Sequence, residues 1–259
     1  MFTPIGQFYS DARYTYDVPR QGVLAGDNVG VVRLEAQYHE ALAEISGFER
    51  LWLLFLFDRT DGVWHAKVMP PRHVTHKVGV FASRSPYRPN PIGLSCVRLL
   101  AVDEAKLELT IAGHDLLDGT PILDIKPYLP YADAFPEAKA GWTELSEEAY
   151  TLNYEQRAEA QLSWLAAHGV ECLGAFIADR LGTTPLSRKR NRLIAMPDST
   201  PLLAYRTWRV RFSCDETAHV VVAQEILSGY TPAELAEGAE DKYHDKAVHR
   251  EFIRVFGER

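Results

Sequence analysis

Pro86, Pro89 and Pro91 stand within six residues of one another. Each lacks a backbone donor, each has a nearly fixed φ, and each steers its predecessor away from the α region. No helix and no central strand can run through Ser85–Pro91. One strand must end near Ala82 and another must begin near Leu94. The stiff loop between them carries Arg84, Ser85, Tyr87, Arg88 and Asn90. Donors crowded on a segment with little freedom suit a site that holds a polar ligand in one pose. Taken alone, the loop would be a proline-stiffened turn with two solvated arginines. A second dense segment tips the reading toward a site.

That segment runs from Gly113 to Tyr128 and reads Gly-His-Asp-Leu-Leu-Asp-Gly-Thr-Pro-Ile-Leu-Asp-Ile-Lys-Pro-Tyr. A strand through Lys106–Ala112 leads into it, with Leu107, Leu109 and Ile111 alternating against Lys106, Glu108 and Thr110. The strand stops at Gly113. Asp115 and Asp118 follow, Asp118-Gly119 forms a turn, and a further strand spans Ile122–Ile125. Asp124 and Lys126, two apart, fall on one face of that strand. They are either a plain ion pair or part of a site.

The remaining pattern is mostly short strands. Ile5–Tyr9 is one; Val18–Gly22 is a loop; Val23–Leu34 reads as a hairpin turned by Gly26-Asp27-Asn28. His39–Ile45 fits one short helix. Leu51–Phe57 is an apolar run that reads as a buried strand, with Trp52 in the core or at an interface, the core being preferred. His65–Pro70, Thr75–Ala82 and Leu94–Val102 add strands. Many short strands separated by turns indicate an antiparallel sheet closed into a barrel. Residues 131–141, rich in Pro, Ala and acids, mark a boundary. Beyond it come a strand at Tyr150–Tyr154, helices over Gln156–His168 and Leu173–Leu181, and a loop at Thr183–Asn191. The strand Trp208–Cys214 has a basic outer face, and His219–Leu227 is its hairpin partner. Thr231–Phe256 reads as a helical tail opened by the capping box Thr231-Pro-Ala-Glu234, with His244 and His249 solvated on it. The expected fold is therefore mainly β, an N-terminal single-sheet antiparallel β-barrel over residues 1–135 and a small α+β domain over 136–259.

Several function classes drop out. No G-x-G-x-x-G and no G-x-x-x-x-G-K-[ST] occurs, so neither a dinucleotide fold nor nucleoside triphosphate chemistry is expected. No apolar run approaches the length of a membrane span, and Met1-Phe-Thr-Pro-Ile-Gly6 does not read as a signal peptide. Cys96, Cys172 and Cys214 are scattered and offer no zinc spacing. A cytoplasmic protein without a metal is expected, His73-x-x-His76 lacking further ligands beside it. Ser95, Cys96 and His114 have nothing to position them as a nucleophilic set. The net charge is −7, but seven Lys/Arg face one acid over Arg59–Arg98, and eight face one over Arg180–Arg211. Two basic tracts on an acidic chain fit a localised phosphate-binding surface.

Val78–Ser95 resembles the F-A-T-R-S-x-x-R-P-N-P-I-G-[LM]-S signature of the TrmO (YaeB- or TsaA-like) family, with Ser83 in place of Thr. Asp115–Tyr128 is similar to its D-L-[LV]-D-G-T-P-[IV]-[LV]-D-I-K-P-Y. Ile5-Gly6, Val18-Pro-Arg-Gln-Gly22 and Leu51-Trp-Leu-Leu-Phe55 extend the resemblance over roughly residues 1–135. It implies a single-sheet β-barrel that binds S-adenosyl-L-methionine and methylates N6 of threonylcarbamoyladenosine at position 37 of tRNA, as a homodimer with the site near the subunit contact. For the donor it implies contacts from Arg20, Gln21, Gly22, Asp58, Arg59, Arg88, Asp115, Leu116, Leu117 and Asp118.

The chemistry itself asks for in-line alignment of donor and acceptor and for help to a weakly nucleophilic carbamoyl-adenosine nitrogen. The candidate catalytic set is Arg84, Asn90, Asp118, Asp124, Lys126 and Tyr128. Asp118, Asp124 or Tyr128 serves as base, or arginine stabilises charge on the carbamoyl oxygen. Arg84 and Arg88 can also pair with the threonyl carboxylate or a phosphate. The resemblance gives the C-terminal module a share in holding tRNA. Its D-P-R-P-A-Y-R loop is here Thr184-Pro-Leu-Ser-Arg-Lys-Arg190. That departure keeps open a same-fold enzyme acting on another modified nucleoside or a small metabolite. The third reading is a non-catalytic RNA-binding module.

Overall fold

The computed structural model of the chain describes residues 2–14, 18, 21–22, 28–70, 74–145, 149–188, 191–195 and 200–257. The turn expected at Gly26-Asp27, together with His73, Lys189 and Arg190, lies outside them. The chain divides into two compact units, residues 1–145 and 146–259.

The first unit contains β1 (Gly6–Tyr9), β2 (Val29–Leu34), β3 (Arg50–Leu56), β4 (Lys67–Val68), β5 (Val78–Gly79), β6 (Ile92–Asp103), β7 (Glu108–Ala112), β8 (Pro121–Pro127) and the helical turn α1 (Pro130–Asp133). Six strands close a barrel in the order β1-β2-β7-β6-β3-β8, every neighbouring pair antiparallel. The period of two along each strand sends alternate side chains inward. Phe8, Val32, Leu51, Leu53, Val97, Leu109, Ile111 and Ile122 are fully buried there. Each such side chain contributes about 1.5–3 kcal/mol.

Closure changes the reading of Leu51–Phe57. In a single-layer barrel only one face of a strand is covered, so Leu51, Leu53 and Phe55 are interior while Trp52, Leu54 and Leu56 face outward, half-buried. Trp52 is not a core residue; its indole N–H donates to Asp133 Oδ2 at 3.0 Å. Leu107 has φ +57 and belongs to the β6–β7 turn, where the Lys106 N–H donates to Asp103 Oδ1 at 3.1 Å. The strands expected at His65–Pro70 and Thr75–Ala82 shrink to the short ladder of β4 with β5. Past Gly79 the chain turns 3₁₀ over Val80–Ala82, locked by Ser83 Oγ donating to the Val80 carbonyl at 2.8 Å. The helix expected at His39–Ile45 is replaced by two 3₁₀ segments, Ala36–Leu42 and Ile45–Gly47.

The second unit contains β9 (Thr151–Tyr154), α2 (Gln156–Ala167), α3 (Leu173–Leu181), β10 (Leu193–Ala195), β11 (Pro201–Tyr205), β12 (Trp208–Asp215), β13 (Val220–Ser228), α4 (Pro232–Leu235) and α5 (Lys246–Phe256). Its sheet has the order β10-β11-β12-β13-β9. Only the β13–β9 pair is parallel, as strands joined by a crossover connection require. α2 lies against β13, where buried Gln161 grips Ile226 twice: its Nε2 donates to the Ile226 carbonyl at 3.1 Å, and the Ile226 N–H donates to its Oε1 at 2.7 Å. Glu225, 4% exposed at its side chain, accepts from Arg157 at 3.2 Å and pairs with Arg211 at 3.1 Å.

The tail is not one helix. The capping box at Thr231 forms as expected, but α4 ends at Leu235 and α5 starts only at Lys246. His249 is buried, not solvated. Its ring stacks on Trp208 with centroids 3.6 Å apart, and its nitrogens reach Ser228 Oγ at 2.8 Å and Thr207 Oγ1 at 2.9 Å. These two hydroxyls satisfy the imidazole, so burying it leaves no orphaned polar atom. His244 is exposed.

Candidate active site

The proline loop shapes itself. Arg88, expected at the donor, sends Nη1 back to the carbonyls of Ser83 at 2.7 Å and Val80 at 3.1 Å. The Ser85 N–H reaches Ser83 Oγ at 3.3 Å and the Tyr87 N–H reaches Ser85 Oγ at 3.4 Å. The Trp142 indole N–H donates to the Ala82 carbonyl at 2.7 Å, bracing the loop's first corner. Asn90 is exposed at the far end, its carbonyl accepting from the Ile92 N–H at 2.8 Å.

Asn28 holds the start of the second segment. Its Nδ2 donates to the His114 carbonyl at 2.9 Å, its Oδ1 accepts from the His114 N–H at 3.1 Å, and its own carbonyl accepts from the Gly113 N–H at 3.1 Å. The His114 ring, 1% exposed, packs against Phe8 at 4.6 Å between centroids. Burial lowers its pKa to about 4, against a small opposing effect of backbone bonds at Val29 and Leu116. His114 is therefore neutral at physiological pH.

Asp115 is the convergence point. Its Oδ1 accepts a hydrogen bond from Ser95 Oγ. Burial raises its pKa; the Ser95 bond, the charge of Arg84 and the Gly22 N–H pull the other way. Arg84 Nη1 in turn donates to Gln21 Oε1 at 2.8 Å. Gly22 can approach only because it has no side chain: a Cβ there would lie closer than 3.0 Å to the Gly113 carbonyl oxygen. Segments distant in sequence thus bring Gln21, Gly22, Arg84, Ser95 and Asp115 into one constellation.

Other expected residues take different places. Leu116 is 1% exposed in the barrel core, so its side chain is not open to a ligand; Leu117 is half-buried, its carbonyl accepting from Thr120 Oγ1 at 2.7 Å. The Asp118 carboxylate accepts from the Ser10 N–H at 3.1 Å. Arg59 is exposed and reaches back to the carbonyls of Asp118 and Arg13, the latter at 3.2 Å. Asp58 is exposed on the preceding turn. Arg20 lies outside the described residues.

Asp124 and Lys126 do share a face, and they pair with each other at 2.9 Å. That face is the outside of the barrel. Asp124 is level with Leu54, and Leu54 with Leu94, whereas Ser95 sits beside Leu53 on the interior row. Within one chain the pair therefore points away from the Ser95–Asp115 contact. Tyr128 is half-buried against Trp52, ring centroids 5.8 Å apart. Sequence reasoning missed Ser95 as the partner of Asp115 and Asn28 as the clamp on His114. Ser95 closes the first signature, so its position was visible and its partner was not. Cys96, next to it, faces the other way and is half-exposed.

The constellation offers a half-buried carboxylate, a backbone N–H and a guanidinium on a proline-stiffened frame. A family model of the tRNA-methyltransferase O N-terminal domain matches residues 8–134. The tRNA (adenine(37)-N6)-methyltransferase of Escherichia coli strain K12 is 38% identical over 191 residues, covering 71% of this chain and 81% of the relative. The chain belongs to the TrmO family. Another relative, a putative S-adenosylmethionine-dependent methyltransferase RcsF of Pseudomonas aeruginosa, is 39% identical over 163 residues, 61% of this chain and 70% of the relative. A solved structure of TrmO from P. aeruginosa aligns with TM-score 0.58 and 28% identity, over 88% of this chain and 97% of that one. A second solved TrmO aligns with TM-score 0.57 and 29% identity, over 87% of this chain and 98% of that one.

Proposed function

We propose that the chain transfers a methyl group from S-adenosylmethionine to N6 of adenosine 37 in tRNA, with the threonylcarbamoyl-modified adenosine as acceptor. The observation that carries the reading is the half-buried Asp115 carboxylate, held between Ser95 and the Gly22 N–H beside Arg84, in a chain of the TrmO family.

These residues fit the donor. A carboxylate beside a backbone approach of Gly22 to Gly113 that leaves no room for a Cβ suits the hydroxyls or amino group of an adenosine. S-adenosylmethionine, when bound, supplies an electrophilic methyl on a sulfonium. The chain supplies position and charge. Asp115 accepts from the donor, the Gln21–Gly22 segment closes over it, and Arg84 holds that segment through Gln21. The rigid frame from Pro86 to Pro91 removes motion that would spoil in-line alignment. Arg84 and Asn90, exposed at the rim, would face the modified base, where a guanidinium stabilises negative charge on the carbamoyl group as N6 gives its proton to solvent. The donor and the chemistry belong to the first unit, residues 1–145, and the second unit, residues 146–259, contacts the tRNA.

The active species is a homodimer in the cytoplasm, where tRNA is modified. Its support is the outer face of the barrel. Leu94 and Leu100 are 47% and 50% exposed, and Leu54 and Trp52 lie beside Leu94 and Cys96 on the same face. A second copy on that face covers the apolar row and sets Asp124, Lys126 and Tyr128 at the contact.

The test is transfer of labelled methyl from S-adenosylmethionine to tRNA with and without the threonylcarbamoyl group, with sedimentation of the same sample. Incorporation into the modified tRNA alone supports the reading. Incorporation into neither, by protein that binds S-adenosylmethionine, refutes tRNA as the substrate.

A further inference from the structure

In the second unit, Arg192, Ala204 and Arg209 form one row across the sheet. The Ala204 N–H donates to the Arg192 carbonyl at 2.9 Å, and Ala204 is the cross-strand partner of Arg209. Cross-strand partners share a face, so two arginines rise on either side of a methyl group. The next row, with fully buried Leu203 and Val210, faces the opposite way. A cleft of about 370 Å³ opens over Ala204, and Arg188, Asn191 and Arg206 complete its wall. Four guanidinium groups line it and, among the described residues, no carboxylate does.

Backbone contacts shape the cleft around the arginines. Asn191 Nδ2 donates to the carbonyls of Thr184 at 2.8 Å and Pro185 at 3.1 Å, and the Asn191 N–H to the Ser187 carbonyl at 2.8 Å. Thr184, Pro185 and Ser187, just before Arg188, are thereby tied to Asn191. Arg206 occupies the β11–β12 turn at φ +50, a left-handed backbone uncommon outside glycine. The Arg209 guanidinium lies over Gly229, where a Cβ would meet its Cζ at 2.7 Å. Its Nη1 donates to the Trp208 carbonyl at 2.7 Å and the Arg206 carbonyl at 3.1 Å.

Charge makes the cleft unusual. Arg211, two residues on and on the same face as Arg209, has its carboxylate in Glu225. Among the described residues Arg209 has backbone carbonyls alone. Burial and the neighbouring charge of Arg192 both lower its pKa. Arg206 and Arg209 are half-buried, with Arg188 and Arg192 exposed above them; like charges gathered in this way draw an anion, and guanidinium forks match the oxygens of phosphate. The volume is that of a small-molecule site, which leaves room for flanking sugar.

We propose that this cleft binds a phosphate group, and specifically a backbone phosphodiester of the RNA substrate. The RNA assignment rests on the tRNA reading above; the phosphate chemistry rests on the cleft alone. The chemistry also fits a free phosphate compound, so the test separates the two sources.

The full chain and its Arg192→Glu and Arg188→Gln variants are titrated with tRNA between about 50 and about 200 mM salt. In parallel, melting midpoints are taken with and without inorganic pyrophosphate. Arg192→Glu should bind tRNA at least about tenfold more weakly, with the salt slope shallower by about one. Its S-adenosylmethionine affinity should match wild type. Its own midpoint without ligand should rise or hold, because the introduced carboxylate would pair with Arg209; a merely structural Arg192 would give a fall. Pyrophosphate should raise the wild-type midpoint and leave that of Arg192→Glu unmoved. Stabilisation by pyrophosphate with unchanged tRNA affinity and slope in the variants would overturn the RNA assignment in favour of a free phosphate compound. No effect of either ligand would overturn the site. Wild type that binds S-adenosylmethionine but no tRNA would overturn the tRNA reading and the RNA assignment together.

Discussion

Gly22→Ala isolates the contact on which the proposed donor site depends. The added methyl would lie closer than 3.0 Å to the Gly113 carbonyl oxygen, where an unstrained contact sits at roughly 3.5 Å. Gly113 cannot yield, because its N–H is tied to the Asn28 carbonyl at 3.1 Å and the next residue is clamped twice by the Asn28 side chain. The Gln21–Gly22 segment must move instead, and the Gly22 N–H leaves the Asp115 carboxylate. A hydrogen bond to a charged group is worth about 1.5–3 kcal/mol, which corresponds to about ten- to 150-fold in Kd. Gly22 belongs to no barrel strand, so the loss should fall on the ligand and not on the fold. Calorimetric titration with S-adenosylmethionine and a melting curve on the same sample read both. Asp115, deprived of a donor, should also protonate more readily, so the affinity deficit should widen as pH falls. Wild-type affinity in a variant with an unchanged melting midpoint would refute the reasoning, because it would show that closing over Asp115 contributes nothing to binding.

Ser95→Ala removes the buried hydroxyl that bonds half-buried Asp115 and should cost about 1–3 kcal/mol in urea unfolding; an unchanged midpoint would mean the carboxylate is otherwise satisfied. His114 should make the protein acid-sensitive. Its pKa is about 4 in the fold against about 6.5 unfolded, so the unfolded chain binds the proton first. The stability held by the neutral ring is complete above about pH 6.5 and is lost as pH falls toward 4, up to about 3 kcal/mol. Asp115, with a raised folded pKa, acts in the opposite sense, its penalty growing as pH rises through the carboxylate range. His114→Phe should flatten the acid limb in a pH series of melting curves, and an unaltered limb would assign it elsewhere. Glu225→Gln strips the shared carboxylate from Arg157 and Arg211 and should destabilise the second unit by about 3 kcal/mol, visible in denaturant unfolding with S-adenosylmethionine affinity retained.

The barrel was legible because its determinants are local. Prolines forbid certain backbones wherever they occur, and period-two alternation marks a strand before any partner is known. Alternation does not say which face is inside. That Asp124 and Lys126 share a face follows from their spacing, but only the pairing of β8 with β3 reveals that they lie outside while Ser95 lies within. Trp52 fell to the same ambiguity, since an apolar run reads as buried on both faces until the sheet proves to be a single layer. In the second unit, β10 and β11 are short strands paired in sequence onto β12, and nothing in Leu193–Ala195 announces a strand by itself. His249 read as solvated because it sits on the helical tail. The hydroxyls of Thr207 and Ser228 that make its burial tolerable come from the sheet, and no helical periodicity foretells them.

The barrel closes where β1 meets β8, with Gly6 opposite Ile122. Those strands sit at opposite ends of the first unit's sequence, so the last pairing to become possible during synthesis is the one that completes the cylinder. Gly22, Arg84, Ser95 and Asp115 hang from segments that this closure draws together, and no short fragment of the unit carries all four. Long-range closure of this kind is slow, because the loop entropy is lost before the contacts form. A ligand that recognises the finished constellation has nothing to grip on a nascent or partly opened chain. It can only bias the cylinder toward staying shut, by an amount that grows with its concentration over Kd. Substrate supply and the lifetime of the folded barrel are thereby coupled through a single seam.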